Sequence, residues 1–476
     1  MNILFATSEA NPFIKTGGLA DVAYALPKKL IELNENCKVI LPLYKSIKEN
    51  HIDELDFIKD FHLQKGWQES YVGLFKTENE GVTYYFIDNE YYFDRENIYL
   101  NDDNNERFAY FNHAILETLK HIEFNPEIIH FNDWHTGILA LLYHSQYKHE
   151  LENQNIKFLY TIHNLKYQGV FEKETLNDFL KLDDYYFNGP DNIEFYNQIN
   201  FMKAGIIYSD HITTVSKSYA DEITYPFFGE KLHGILKKYK NKLTGIVNGI
   251  DYDQFNPKKD PLIDYNYSKE NVVDKKKKNK LALQKQLGLK QDANIPLVSI
   301  VSRLTPMKGF DLIRHIMDEL LQKDIQFILL GTGDKEIEDA FKHFENKYPD
   351  KMRSVILFSI DLAQKIYASS DIYLMPSKKE PCGLSQLIAL RYGTIPIVRE
   401  VGGLKDTITP YNKSENIGNG FSFKNFNAHE LLFKINEALD LYSNKTKWHQ
   451  MIQRAMNTDN SWEKSAKKYI ELYTNL

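Results

Sequence analysis

The strongest constraint in this sequence is a rhythm. Short apolar runs of strand length are each followed by a glycine-containing or polar turn and then a longer helical pattern. Asn2–Thr7 (NILFAT), Cys37–Leu43 (CKVILPL), Ile128–Phe131 (IIHF), Lys157–Ile162 (KFLYTI) and His211–Val215 (HITTV) form a first series, with a helix pattern from about Leu19 to Leu33 after the first run. A second series is Pro296–Ser302 (PLVSIVS), Gln326–Leu330 (QFILL), Val355–Phe358 (VILF), Ile372–Met375 (IYLM) and Ile395–Val398 (IPIV). Strands separated by helices pair in parallel, and helices then cover both faces of the sheet. The expected class is α/β with two doubly wound domains, and a length of 476 residues suits two cores better than one.

Between the two series, residues 258–290 are charged and poor in apolar side chains, and include DKKKKNK at Asp274–Lys280. A lysine run can be a phosphate patch or a nuclear signal. A solvated linker or helix start is the preferred reading, because charge runs normally lie in water. The stretch marks the domain junction. A net charge of −7 argues against a nucleic-acid partner, which calls for a basic surplus. Cys37 and Cys382 lie far apart and form neither a disulfide framework nor a zinc cluster, which fits a reducing compartment. MNILFATSEA has no cationic region ahead of its apolar run, and no run is long enough to span a bilayer. A cytoplasmic protein without a membrane partner is expected. Aromatic residues reach 13 %, and sugar faces pack on such rings, but core packing accounts for them more readily.

Loops that follow strand runs carry the chemistry-bearing side chains, where open α/β sheets bind their ligands. KTGGLADV (Lys15–Val22) opens a helix. Gly17 and Gly18 let backbone approach a ligand, the helix start favours an anion, and Lys15 adds a full charge. A plain strand–helix turn with an exposed lysine is the alternative. SRLTPMKG (Ser302–Gly309) offers Arg303 and Lys308, a forked cation and a point charge suited to a diphosphate, or else ordinary ion pairs. KKEPCGLSQL (Lys378–Leu387) offers Glu380 as an acceptor for sugar hydroxyls, and the amides of Cys382, Gly383 and Leu384 at a helix start. A capping carboxylate and a buried filler cysteine are the ordinary readings. HFNDWHTG (His130–Gly137) and TIHNLKYQG (Thr161–Gly169) bring Asp133, Trp134, His135, His163 and Asn164 to one sheet edge, without zinc-type spacing. GTGD (Gly331–Asp334), NGID (Asn248–Asp251) and VGGL (Val401–Leu404) are glycine turns, with a hinge reading for NGID.

In order along the chain, KTGGLADV, NDWHTG, TIHNLKYQG, LTGIVNGID, SRLTPMKG, EPCGLSQL with ALRYGTIPIV, GGLKDT and the C-terminal SWEKSAKKYIELY resemble the glycogen and starch synthases. The resemblance implies the GT-B architecture, two Rossmann-like doubly wound domains facing across a cleft. Residues 1–250 would form the acceptor side with the donor-phosphate loop and residues 251–455 the nucleotide-sugar side. Residues 456–476 would be a helix crossing back to the first domain. It implies transfer of glucose from ADP-glucose to the non-reducing end of an α-1,4-glucan with retention of configuration, with no metal or other cofactor. By the same resemblance, Lys15 is a donor-phosphate lysine, and Arg303 and Lys308 neutralise the leaving diphosphate. Glu380 holds the transferred glucose, His163 lies beside the anomeric centre, and Asp133 faces donor or acceptor. Gly17, Gly18, Asp21, Asn164, Asn248, Cys382, Gly383 and Leu384 complete the implied substrate-binding set.

One feature departs from the wider class of retaining transferases. The second glutamate of a Glu-x7-Glu pattern is absent, Leu387 standing seven residues after Glu380, so no ribose ligand is assigned. A UDP-glucose transferase and a non-catalytic glucan-binding relative are the alternatives. A nicotinamide oxidoreductase is opposed by the lack of G-x-G-x-x-G with a downstream acid.

Overall fold

The computed structural model describes residues 1–476 except 64–68, 100, 152–154 and 190. The chain divides into two compact units. The first comprises Met1–Val215, Ala220–Ile246 and Ser465–Leu476, the second Ser216–Tyr219 and Val247–Lys464.

Twelve strands of the first unit lie among the described residues: β1 (Asn2–Ala6), β2 (Asn36–Pro42), β3 (Asp56–Leu63), β4 (Ser70–Asn79), β5 (Val82–Asp88), β6 (Ile128–Asn132), β7 (Lys157–Ile162), β8 (Val170–Glu172), β9 (Glu194–Phe195), β10 (Gln198–Asn200), β11 (His211–Thr214) and β12 (Leu243–Gly245). The main sheet has the order β12-β11-β7-β6-β1-β2-β5-β4-β3, and β8, β10 and β9 form a small sheet apart. Its pairs are parallel except that β4 runs against both β5 and β3. Ile3, Leu4, Phe5 and Ala6 of β1 are fully buried, as expected for a central strand covered on both faces. Chain order reverses between β1 and β6, which makes the carboxyl ends of those strands the switch point where such sheets bind ligands.

The second unit contains β13 (Leu297–Val301), β14 (Gln326–Leu330), β15 (Met352–Val355), β16 (Ile372–Met375), β17 (Ile395–Arg399) and β18 (Phe421–Phe423). Their order is β15-β14-β13-β16-β17-β18 with all neighbours parallel, so this sheet reverses between β13 and β16. Leu297, Ile328, Leu330, Leu362 and Ile366 share a core with Leu283 and Leu289.

Two expectations need correction. The apolar run Val355–Phe358 is not a strand. β15 pairs Met352–Val355 with Phe327–Leu330 and ends with its partner, leaving Phe358 84 % exposed. Of the solvated linker or helix start expected over residues 258–290, the helix start holds, and the stretch lies inside the second unit rather than at the junction. It contains the helix Val272–Gln286, whose Lys276 and Lys280 are buried one turn apart. The Lys276 ammonium donates to the carbonyls of Tyr367, Ala368 and Tyr392 and to Thr394 Oγ1. Three of these acceptors lie at helix ends, whose last carbonyls lack partners within the helix. Lys280 pairs with Asp371 at 2.5 Å. A helix splits a lysine run by its period, so part of the run faces inward and finds acceptors there.

The final helix, Trp462–Thr474, sends Tyr469 and Tyr473 into the first unit. Tyr473 Oη lies 2.7 Å from His130 Nδ1, whose Nε2 lies 2.6 Å from Thr161 Oγ1. Among the described residues no helix is long and apolar enough to cross a membrane.

Candidate active site

In the first unit, the loop after β1 folds back on the helix Gly18–Glu32. Glu9, nearly fully buried, accepts the Thr16 amide at 2.5 Å, the Thr16 hydroxyl at 2.7 Å and the Gly17 amide. Lys15 Nζ donates to Asp21 Oδ1 at 2.6 Å, and Asn11 Nδ2 donates to the same oxygen. Burial raises both carboxyls above their ordinary range. The amides of Thr16 and Gly17 are thus already taken by Glu9, a residue the sequence reading did not single out. The helix start itself has no side-chain cap, and a Cβ at Gly18 would meet nothing within 4 Å. Any anion at this loop would use the uncapped helix start and exchange with Asp21 at Lys15.

The ends of β6 and β7 hold the second group. Asp133 adopts φ +55°, a left-handed conformation costly for a residue with a side chain. Its neighbours over-determine it. Its amide donates to Thr161 O at 2.9 Å, and Oδ1 accepts the amides of His163 at 2.8 Å and Asn164 at 3.4 Å. Burial raises the Asp133 carboxyl to about 7, against the two amide bonds that lower it. Burial pulls the His163 imidazole down to about 3, so it is neutral. Its Nε2 lies 2.9 Å from Asn132 Oδ1. Asn164 Oδ1 closes its own turn on the Lys166 amide. Beside these residues is an aromatic-lined trough of about 440 Å³, with Trp134, Tyr167, Gly169, Phe171, Phe195 and Lys231 on its walls.

In the second unit, the loops after β13 and β16 meet. Gly309, at φ +76°, brings them together, since a Cβ there would stand 2.1 Å from Pro376 O. The Lys378 amide donates to Met307 O at 2.8 Å across the same contact. Lys308 Nζ then reaches Glu380 Oε2 at 2.6 Å. The Ser377 hydroxyl donates to that same oxygen at 2.9 Å. Arg399 Nη1 donates to the carbonyls of Ser377 and Lys378. Arg303 is exposed and makes no ion pair among the described residues. Arg303, Lys308, Ser377, Ser302 and Ser385 line a cavity of about 180 Å³.

Cys382 is buried beside Asn248, whose amide donates to its sulfur, and burial pushes the thiol up to about 12. Gly383 takes φ +75°, and Leu384 precedes the short helix Ser385–Arg391. Asn248 Oδ1 is buried without a hydrogen-bond partner, an acceptor available to a ligand's hydroxyl. A Glu-x7-Glu spacing from Glu380 reaches Ile388 rather than Leu387. Both are buried, so this helix offers no ribose ligand there.

The structure therefore assembles Lys15, Gly17, Gly18 and Asp21 at one loop, and Asp133, His163 and Asn164 at one pair of strand ends. It places Arg303 and Lys308 on the wall of one cavity, with Glu380 paired to Lys308 and Asn248 against Cys382. Glu9, Asn132 and Ser377 are the additions. Asn132 had a legible signal, a polar residue closing the fully buried run IIHFN. Ser377 had none. Among the described residues no group of three or more His, Cys, Asp or Glu is placed to hold a metal ion.

A mainly parallel sheet in the first unit and a parallel sheet in the second, with cations, carboxylates and a neutral histidine at strand ends, are the frame of a GT-B glycosyltransferase. A family model for the starch synthase catalytic domain matches residues 2–238, and one for glycosyl transferases group 1 matches residues 280–458. The chain belongs to the glycogen and starch synthase family. It is 50 % identical over 480 residues to the glycogen synthase of Clostridioides difficile (strain 630), covering 100 % of both chains. It is 49 % identical over 476 residues to that of Bacillus cytotoxicus, covering 100 % of this chain and 99 % of the other. The catalytic domain of starch synthase IV from Arabidopsis thaliana, solved with ADP and acarbose, matches with a TM-score of 0.88 at 33 % identity, over 100 % of this chain and 99 % of that one. Sucrose-phosphate synthase from Thermosynechococcus elongatus shares the fold, with a TM-score of 0.62 at 16 % identity over 99 % and 98 % of the chains.

Proposed function

We propose that this cytoplasmic transferase extends an α-1,4-glucan, moving glucose from ADP-glucose to the non-reducing end with retention of configuration. The observation that carries the reading is the group around Glu380. One carboxylate oxygen is held by Lys308 and Ser377, which leaves the other for sugar hydroxyls, while Arg303 stays unpaired for the leaving diphosphate. Starch synthase IV, a relative by fold and sequence, was solved with ADP and acarbose, which supports a nucleoside diphosphate product and a glucan-like acceptor.

Transfer passes through an oxocarbenium-like state as the bond from the anomeric carbon to the phosphate oxygen lengthens. Arg303 and Lys308, with Lys15, take up the charge that grows on the diphosphate, and preorganised charge is usually the largest catalytic contribution. In this proposal they supply what a metal supplies elsewhere. Glu380, Asn248 and His163 orient the glucosyl group through its hydroxyls. Asp133 fixes the backbone at His163 and faces donor or acceptor. The departing phosphate accepts the proton of the attacking glucan hydroxyl on the same face, which keeps the α configuration. The acceptor chain lies on the Trp134–Tyr167–Phe195 trough, where rings meet sugar C–H faces.

The experiment is incubation with glycogen and either ADP-glucose or UDP-glucose, following nucleotide release. ADP should appear faster. Faster release of UDP would overturn the donor assignment, and no release from either would overturn the activity.

A further inference from the structure

Asn132 ends β6 and is completely buried. Its amide is anchored from one side. Nδ2 donates to Ala6 O at 3.0 Å and lies 3.4 Å from His130 O. Turning the amide over would set Oδ1 against those two carbonyl oxygens, acceptor against acceptor. Oδ1 therefore points the other way, to His163 Nε2 at 2.9 Å. An amide oxygen only accepts, so the ring nitrogen facing it carries the proton. The backbone of His163 is fixed as well, through its amide's bond to Asp133 Oδ1. Consecutive residues of one strand end thus hold both the ring and the main chain of His163.

We propose that Asn132 is a positioning residue that locks the His163 imidazole in its Nε2–H tautomer, leaving a bare lone pair at Nδ1 for substrate. The inference rests on the reading of His163 as a substrate contact. Nδ1 has no protein partner among the described residues, and His163 as a residue is half-buried. A lone pair there accepts from a hydroxyl and repels a phosphate oxygen. The tautomer thus assigns a sugar hydroxyl to His163 and leaves the phosphates to Lys15, Arg303 and Lys308. It also removes His163 from the role of proton donor, because the only proton on the neutral ring is engaged by Asn132.

The test combines a spectrum with kinetics. In full-length protein labelled with 15N-histidine, the His163 resonances, assigned by loss in His163→Gln, should show Nε2–H and bare Nδ1. An Nδ1–H signal in the wild type would overturn the proposal whatever the variants do. Asn132→Leu removes the acceptor while keeping a similar volume. It should give mixed tautomers and lower kcat about tenfold, the scale of one misdirected hydrogen bond, with KM for the acceptor glucan little changed. Mixed tautomers with unchanged kcat in Asn132→Leu would overturn the link to catalysis. The spectrum is read without turnover, so it stands apart from the activity assay that decides the proposed function.

Discussion

Lys308 has two partners in prospect, and they differ in kind. It neutralises Glu380, and in the proposed mechanism it also faces the donor's diphosphate. Lys308→Ala should therefore lower turnover by roughly a hundredfold, about 3 kcal/mol of transition-state stabilisation, with the circular dichroism spectrum unchanged. Wild-type turnover would remove Lys308 from the mechanism. Ser377→Ala keeps that charge but leaves Glu380 Oε2 with one donor. We expect a few-fold rise in KM for donor at nearly constant Tm. At the first unit's loop, Lys15 and Asp21 are 46 % and 25 % exposed, so their ion pair is worth little and exchanges readily for a ligand's charge. A Cβ at Gly18 meets open space, and alanine also suits a helix start. Gly18→Ala should leave Tm equal or slightly higher while raising KM for donor, because only a ligand would feel the methyl. Lys15, Lys308 and Glu380 are legible in the sequence because charges beside glycines at strand ends have few structural uses. Glu9 and Ser377 are not, since their roles depend on which loop folds over them.

At the scale of elements, the central strands read clearly because both faces are covered and their runs are continuously apolar. β3 and β4 carry Asp, Lys and His among their apolar residues and lie at the exposed end of the sheet, so they offer no such run. β12, β18 and the small sheet are too short to show one. Val355–Phe358 misleads for the opposite reason. Its apolar content continues past the point where pairing stops, and Phe358 faces solvent. The final helix adds a long-range contact that no local pattern records. Tyr473→Phe would leave His130 Nδ1 unpaired in a fully buried position. A loss of about 1–3 kcal/mol is expected, read as a lower unfolding temperature of the first unit. An unchanged unfolding temperature would mean that the hydroxyl only fills space.

For the whole molecule, three buried histidines set a common dependence on acidity. Burial drives His130 and His135 well below the ordinary 6.5, and His163 to about 3. The unfolded chain takes up protons at these positions as pH falls through 6.5, whereas the folded chain does not. The stability they contribute is present above that value and is lost on acidification toward 3. Asp133, raised to about 7, acts the other way, since the folded state takes its proton first as pH falls from 7 to 3.8. Glu9 and Asp21, also raised, act with Asp133, while His121, His144, His211 and His449, also lowered, act with the first three histidines; with seven groups against three, the apparent Tm should fall between pH 6.5 and 5 at constant ionic strength. A rise across that window would mean that these histidines titrate in the folded state. The lysine run of the helix Val272–Gln286 has a consequence of its own. Lys277 and Lys278 stand in water while Lys276 and Lys280 lie inside, within a few residues of one another. A water-soluble amine-acylating reagent should mark the first pair at once and spare the second until the surrounding fold opens. A single tryptic region would then carry both a reactive reference and a protected reporter, a built-in gauge of the second unit's integrity.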